Sequence, residues 1–363
     1  MDWVLVYFFV FDISFVLALG LTPVFRQLSF RLGVVDQPDQ ERKIHTAAMP
    51  LLGGVAVFTA FALNVVLGYL VVLPLATQFD FPLLDMPDVR AHLEGAFTVG
   101  RKLLVLLAGG ALMIALGLYD DTKELRAGPK LLGQVAVAAL VAAFGMRVTL
   151  FIPNAVVSFV LTILWIVTVT NAMNWLDNMD GLCAGVGMVC AGMFAFIAAM
   201  LGQYFVCLLA VALTGALLGF LPFNFKPATI FLGDAGSHFI GYMLAVLPII
   251  GTFYSPGAPT WLPVLIPLLV LAVPLFDLLM VVAIRVVHGN PVYMGDINHL
   301  SHRLVRLGLP QSWAVALIYL ITLTLGLGAS VLLWSDLTAA LIVIVQAICI
   351  LAVVTLLEQL GKR

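Results

Sequence analysis

The chain has 363 residues, 63% of them hydrophobic and only 10% charged, with a formal net charge of −2 and a mean hydropathy of +1.14. Soluble domains carry about 25% charged residues, so the solvating surface is less than half the usual amount, which excludes a soluble globule or a disordered chain. The near-neutral charge provides no basic footprint, so no nucleic-acid partner is expected.

Apolar runs occupy about 4–25, 51–75, 101–119, 129–146, 153–174, 182–200, 204–222, 236–251, 261–287, 313–334 and 337–357. They are long and continuous rather than alternating with period two, which predicts helices and not a barrel. At about 20 residues per crossing, the expected fold class is an all-α polytopic membrane protein of about eleven transmembrane helices in one integral domain, 1–363. The first run lacks a preceding basic region and a following small-residue cleavage site, so it reads as a retained span. Eleven spans put the termini on opposite sides. With the N-terminus outside, 13 of the 17 Lys and Arg residues share the face of the C-terminus, and Arg90, Arg101, Lys102 and Arg147 fall on the other. The positive-inside bias therefore predicts an outside N-terminus and a cytoplasmic C-terminus. The segment 76–98 reads as a solvated outer loop. Cys183, Cys190, Cys207 and Cys349 sit inside apolar runs as small hydrophobes, with no disulfide framework. Gly181–Gly185 and Gly215–Gly219 have the spacing of close helix contacts.

The cytoplasmic loops hold five dense polar clusters. The first reads Asp36-Gln-Pro38-Asp-Gln-Glu-Arg42-Lys43-Ile-His45, then Pro50-Leu-Leu-Gly53-Gly54. Its cations and its Gly-Gly at a helix start suit a phosphate, through charge and closely approaching N–H groups. Arg42 and Lys43 serve equally as topology determinants touching anionic lipid. The second is Asp120-Asp121, with Lys123, Glu124, Arg126 and Lys130 following. Two carboxylates at a helix C-terminus oppose its dipole and each other, so Lys130 or a divalent ion should compensate. Successive helical residues point about 100° apart, which gives the two aspartates different partners. The third runs from Asn171 through Asn174 and Asp177 to Asp180-Gly181. Its three-residue spacing gathers amides and carboxylates on one half of a helix, costly at the end of an apolar span unless something binds there. The fourth, Asn224-Phe-Lys226 and then Gly233-Asp234-Ala-Gly236-Ser237-His238, offers Asp234 as a helix cap or a metal ligand. The fifth, Gly295-Asp296-Ile297-Asn298-His299-Leu-Ser301-His302-Arg303, suits an anion, since guanidinium binds phosphate bidentately. Zinc is a weaker alternative there, with no Cys nearby and no HExxH pattern. Asp277, inside the ninth run, is a functional candidate whose partner the sequence does not name.

Jointly the clusters offer carboxylates for Mg²⁺, asparagines for a base or sugar, and cations for phosphates, all on one membrane face. That inventory suits a cytosolic phosphorylated nucleotide meeting a lipid held in the bilayer. The competing class is an ion-coupled transporter, against which stand the single-faced clusters and the lack of an inverted repeat.

In this order the motifs resemble those of the polyprenyl-phosphate N-acetylhexosamine-1-phosphate transferases, in particular the bacterial branch using undecaprenyl phosphate and UDP-GlcNAc. The motifs are Asp36-x-Pro38…Arg42-Lys43-x-His45…Pro50-x-x-Gly53-Gly54, Asp120-Asp121, Asn171-Ala-x-Asn174…Asp177…Asp180-Gly181, Gly233-Asp234-x-Gly236-Ser237 and the histidine segment. The resemblance implies eleven helices in the cell (inner) membrane, a cytoplasmic active site and Mg²⁺, with Mn²⁺ as a substitute. It implies UDP-sugar, undecaprenyl phosphate and membrane lipids as partners, and leaves a homodimer open. By motif, Asp234 would bind the metal with Asn174 close by. Asp120, Asp121, Lys130 and Asp177 would form the catalytic group. Arg42, Lys43, His45, Asn171, Asn174, Asp180, His299, His302 and Arg303 would contact substrates, Asp180 at the uracil. The last loop departs from the family's frequent Asp-Arg-x-His-x-His-His-Arg: Ile297 and Ser301 stand where an arginine and the middle histidine are usual. Phospho-MurNAc-pentapeptide translocases usually carry a triple histidine and lack the Arg-Lys-x-His loop, so the chain looks closer to the HexNAc branch.

Overall fold

The structure is a computed structural model that describes residues 2–37, 48–78, 92, 95–149, 154–253, 259–291 and 298–360. Arg42, Lys43 and His45 lie outside the described residues, as do Gly295, Asp296 and Ile297 and most of the outer loop. Every predicted apolar run is helical. In chain order these are α1 (Asp2–Leu32), α2 (Gly53–Leu67) extended by a π turn and the short α3 (Leu73–Gln78), α4 (Gly100–Lys123), α5 (Ala127–Ala143) and α6 (Ala155–Leu176). There follow α7 (Leu182–Met200), α8 (Tyr204–Asn224), α9 (Gly233–Ile250), α10 (Ile266–Val270), α11 (Ala272–Val287), α12 (Leu300–Arg306), α13 (Gln311–Val331) and α14 (Leu337–Leu360). Helices are what such runs must form in hydrocarbon, because only intrasegment hydrogen bonds satisfy the backbone there.

Among the described residues, nine helices are long and apolar enough to cross a membrane. The run 261–287 is not one straight rod: Leu262–Val270 and Ala272–Val287 meet at 71°. Ala127–Ala143 is a shorter apolar helix. The chain is thus an all-α, multi-pass membrane protein.

Central in the bundle is α9, whose most apolar window is 78% buried, against 11% for α1 and 17% for α14. It packs on α4, α6, α2 and α7. Close approach is enforced at α2, where a Cβ on Gly54 would sit 2.1 Å from Gly236 N. Polar atoms tie helices as they do in lipid: Asn64 Nδ2 donates to Val10 O and Ser14 Oγ, both at 2.7 Å, joining α2 to α1. A two-residue ribbon, β1 (Val35–Asp36) with β2 (Met49–Pro50), is antiparallel with Val35 opposite Pro50. Phe231 N donates to Pro50 O at 2.8 Å, so the ribbon is fastened to the α8–α9 loop.

Candidate active site

The ends of α4, α6 and α8 and the starts of α5, α7 and α9 meet at one end of the bundle. They enclose a cavity of about 490 Å³, within the size range of small-molecule sites. Seven of its lining side chains are acidic, among them Asp36, Asp120, Asp121, Asp177, Asp180 and Asp234.

Asp120 and Asp121 have different partners, as their helical spacing requires. Glu124 turns the chain out of α4 with φ +48°, and Asp120 Oδ1 accepts Leu125 N in that turn at 2.7 Å. Its Oδ2 lies 2.8 Å from Lys130 Nζ. The oxygens of Asp121 instead accept Asp234 N at 2.8 Å and Ala235 N at 3.1 Å. Asp121 is therefore a cap supplied from another helix: it satisfies two N–H groups that the first turn of α9 leaves without an intrahelical partner. The preceding Gly233 has φ +73°, and a Cβ there would meet Asp121 Oδ2 at 2.7 Å, so the approach requires glycine.

Lys130, at the start of α5, reaches three oxygens. Beside Asp120 these are Asp234 Oδ2 at 2.7 Å and Asn174 Oδ1 at 3.0 Å. Asn174 is in turn oriented by donating from Nδ2 to Asp234 Oδ1 at 2.6 Å and to Ser237 Oγ at 2.9 Å. Two carboxylates and an amide oxygen thus converge on one cationic centre. Among the described residues no group of three or more His, Cys, Asp or Glu side chains is placed to hold a metal ion by itself. The hard-oxygen set nevertheless fits Mg²⁺, which is ordinarily held by one or two carboxylates and completes its shell with water and substrate phosphates.

Asp177 follows the last residue of α6 and lines the cavity. Burial, then the charges of Asp234, Asp121 and Asp180, push its carboxyl well above the usual carboxylate range. Asp180 Oδ2 accepts Ala228 N at 3.1 Å. Asp36, Glu124, Asn178 and Asn224 are polar lining residues outside the site set expected from the motifs. Asn224 joins two loops. It ends α8 with Oδ1 accepting Gly181 N at 3.2 Å and Nδ2 donating to Ile230 O at 3.0 Å. Its position at the mouth of an apolar run, the feature that marked the other clusters, was the available signal.

Other candidates lie elsewhere. Asn171 is one turn back from Asn174 and does not line the cavity. Its Nδ2 donates to Gln134 Oε1 at 2.6 Å and Val167 O at 2.8 Å, and Gln134 continues to His238 at 3.2 Å. Gly53 and Gly54 are not a phosphate cradle either: their N–H groups donate to Phe231 O at 3.2 Å and Leu232 O at 2.8 Å. His299, His302 and Arg303 are absent from the cavity wall. Their segment touches it through Ser301, whose Oγ donates to Asn178 Oδ1 at 2.5 Å.

An acidic, oxygen-rich cavity at the ends of membrane-length helices defines a polytopic membrane protein with an enzyme-like site. The chain belongs to glycosyl transferase family 4, whose model it matches over residues 103–252. It is 32% identical to a Bacillus subtilis protein named as a probable undecaprenyl-phosphate N-acetylglucosaminyl 1-phosphate transferase, over 92% of this chain and 88% of the relative. It is also 32% identical to the decaprenyl-phosphate N-acetylglucosaminephosphotransferase of Mycobacterium tuberculosis, over 93% and 85%. A phospho-N-acetylmuramoyl-pentapeptide-transferase of Lacticaseibacillus paracasei is 42% identical, but over 37% of this chain and 48% of its own.

Proposed function

We propose that the protein transfers a HexNAc-1-phosphate, GlcNAc-1-phosphate foremost, from a UDP-sugar to undecaprenyl phosphate, releasing UMP and starting a lipid-linked cell-envelope glycan. The observation that carries this reading is the convergence of Asp120, Asn174 and Asp234 on Lys130. Relatives matched along nearly the whole chain are named for GlcNAc-1-phosphate transfer to polyprenyl phosphates, which supports the donor and the acceptor. Relatives named for phospho-MurNAc-pentapeptide transfer match less of the chain, 37% of it at 42% identity or 66% at 28%, and support that donor less.

The same reading has eleven crossings of the inner membrane, an outside N-terminus and a cytoplasmic site. Nine long helices, the bent pair and Ala127–Ala143 make eleven, and the distribution of 13 and four basic residues supports the orientation.

In the reaction, an oxygen of the lipid phosphate attacks the β-phosphorus of the UDP-sugar, and the bond from that phosphorus to the bridging oxygen breaks. UMP departs with that oxygen. A phosphate monoester has a second pKa of about 6, so the nucleophile is already mostly dianionic at pH 7 and a general base contributes little. Charge is the obstacle instead. Both substrates are anions, and the cavity they enter is lined by seven acidic residues. Asp234 and Asn174 would hold Mg²⁺, and the chemistry it would supply there is neutralisation of diphosphate charge. Lys130 supplies a further positive charge beside them, and Asp120 keeps that ammonium in place. Asp121 fixes the backbone of Asp234. Asp180 and Asn224 line the same cavity on the nucleotide side of this assignment.

Purified protein mixed with labelled UDP-GlcNAc, undecaprenyl phosphate and Mg²⁺ should release UMP without a sealed vesicle. UDP-GalNAc and UDP-MurNAc-pentapeptide, offered in parallel, decide the sugar. No UMP from any donor refutes the transferase reading. In Asp234→Asn the Mg²⁺ requirement should rise; an unchanged requirement removes Asp234 from the metal site.

A further inference from the structure

Asp277 stands within α11, away from the cavity wall and 1% exposed. A carboxylate at that depth is costly unless its oxygens are satisfied. Both are satisfied by one segment: His299 Nδ1 lies 2.7 Å from Oδ2, and Leu300 N donates to Oδ1 at 2.6 Å. His299 immediately precedes α12 and is 6% exposed. Because a carboxylate only accepts, the short contact requires the proton on Nδ1. The other ring nitrogen, Nε2, is then directed away from α11.

A second tether acts two residues on. Ser301 is fully buried and donates to Asn178 Oδ1, and Asn178 lines the cavity between Asp177 and Asp180 while donating to Trp175 O at 2.8 Å. The first turn of α12 is thereby held between α11 on one side and the carboxylate loop on the other. Ser301, standing where the family often has histidine, fastens α12 to the carboxylate loop.

We infer that Asp277 is a positioning residue for the transfer: it fixes His299 as the Nδ1–H tautomer and presents Nε2 to the substrate side. The inference rests on the proposed reaction and on the substrate contact that the family resemblance implies for His299, which borders the cavity loop and is not part of its wall. A carboxylate behind an imidazole sets both its tautomer and its orientation.

The test is Asp277→Asn. The amide offers one acceptor for two donors. If Oδ1 serves Leu300 N, the NH₂ faces His299, which must then present a lone pair at Nδ1 and carry its proton on Nε2. In ¹⁵N-histidine spectra of the purified protein, with the His299 signals identified by their loss in His299→Gln, the wild type should show Nδ1–H and Asp277→Asn should show Nε2–H. The variant should lower kcat/KM for UDP-GlcNAc by on the order of 10- to 100-fold, as loss of such an outer carboxylate does elsewhere. In a His299→Gln background the same substitution should add less than about twofold, because residues acting through one contact are not additive. An unchanged tautomer, or an undiminished loss in the His299→Gln background, overturns the proposal in favour of a plain anchor for α12. If Asp277→Asn does not fold, the wild-type spectrum decides, since Nε2–H at His299 overturns the proposal by itself. Wild-type protein that releases no UMP defeats the proposed reaction and leaves the tautomer measurement readable.

Discussion

Asp121→Ala removes the acceptor of two N–H groups at the start of α9, those of Asp234 and Ala235. Hydrogen bonds to a charged group contribute about 1.5–3 kcal/mol each, and the half-open cavity places these at the lower end, so the alanine variant should lose about 3 kcal/mol. Asp121→Asn keeps one acceptor and turns an amide N–H toward the other donor, so its loss should be about half as large. Because one of the freed groups is the N–H of Asp234, the side chain that meets Lys130 and Asn174 loses its fixed origin, and the Mg²⁺ requirement should rise in step with the stability loss. Thermal unfolding in detergent and Mg²⁺ titration of UMP release read the two effects. An asparagine variant with wild-type stability and an unchanged Mg²⁺ requirement, yet a much lower rate at saturating Mg²⁺, would refute the capping role and make Asp121 a group that acts on substrate.

Gly233→Ala should lose at least about 2 kcal/mol in the same unfolding assay, since a left-handed residue costs about 1–2 kcal/mol and the new Cβ also meets Asp121; a change below 0.5 kcal/mol, the usual scatter of surface substitutions, would contradict the glycine argument. Asp120→Asn should lose most UMP release at pH 7 and keep that loss at pH 9, because its carboxylate holds Lys130 rather than accepting a proton; recovery at high pH would restore the general base. Asp177 has a raised folded-state pKa, so its stabilising protonated form is complete below the unfolded value and is lost as pH rises through the folded one. Without Mg²⁺, Asp177→Asn should therefore gain on the wild type in unfolding midpoint as pH increases, and a gap that does not change with pH would argue against a strained carboxylate.

The helices were readable from the sequence because lipid imposes a single criterion, a long apolar run. The run 261–287 shows its limit: hydropathy is blind to the 71° bend at Leu271, whose signal is Pro274, which has no N–H to continue the helix through Val270. At the site, spacing correctly separated Asp120 from Asp121, since helical geometry is local. It did not assign Asp121 to α9, because that contact spans 113 residues and depends on how α4 docks. Asn171 and Asn174 share a face and read alike, yet only one extra turn of depth puts Asn171 beside Gln134 instead of Asp234. Gly53-Gly54 resembled an anion cradle because composition does not reveal whether N–H groups already have acceptors, and here the Phe231–Leu232 carbonyls take them. Asp277 was conspicuous in an apolar run, but its partner stands 22 residues away across a loop.

The acid and base of the Asp120–Lys130 pair are ten positions apart on consecutive helices, whereas Asp234 is joined to Lys130 across 104. During synthesis, the first two groups meet as soon as their hairpin is inserted and shield each other from hydrocarbon as a neutral couple. Arrival of α9 adds an unmatched anion to that couple. Asp120 and Lys130 can therefore pair before the central helix is made, whereas Asp234 joins Lys130, and Asp121 finds the N–H groups of Asp234 and Ala235, only when that helix seats.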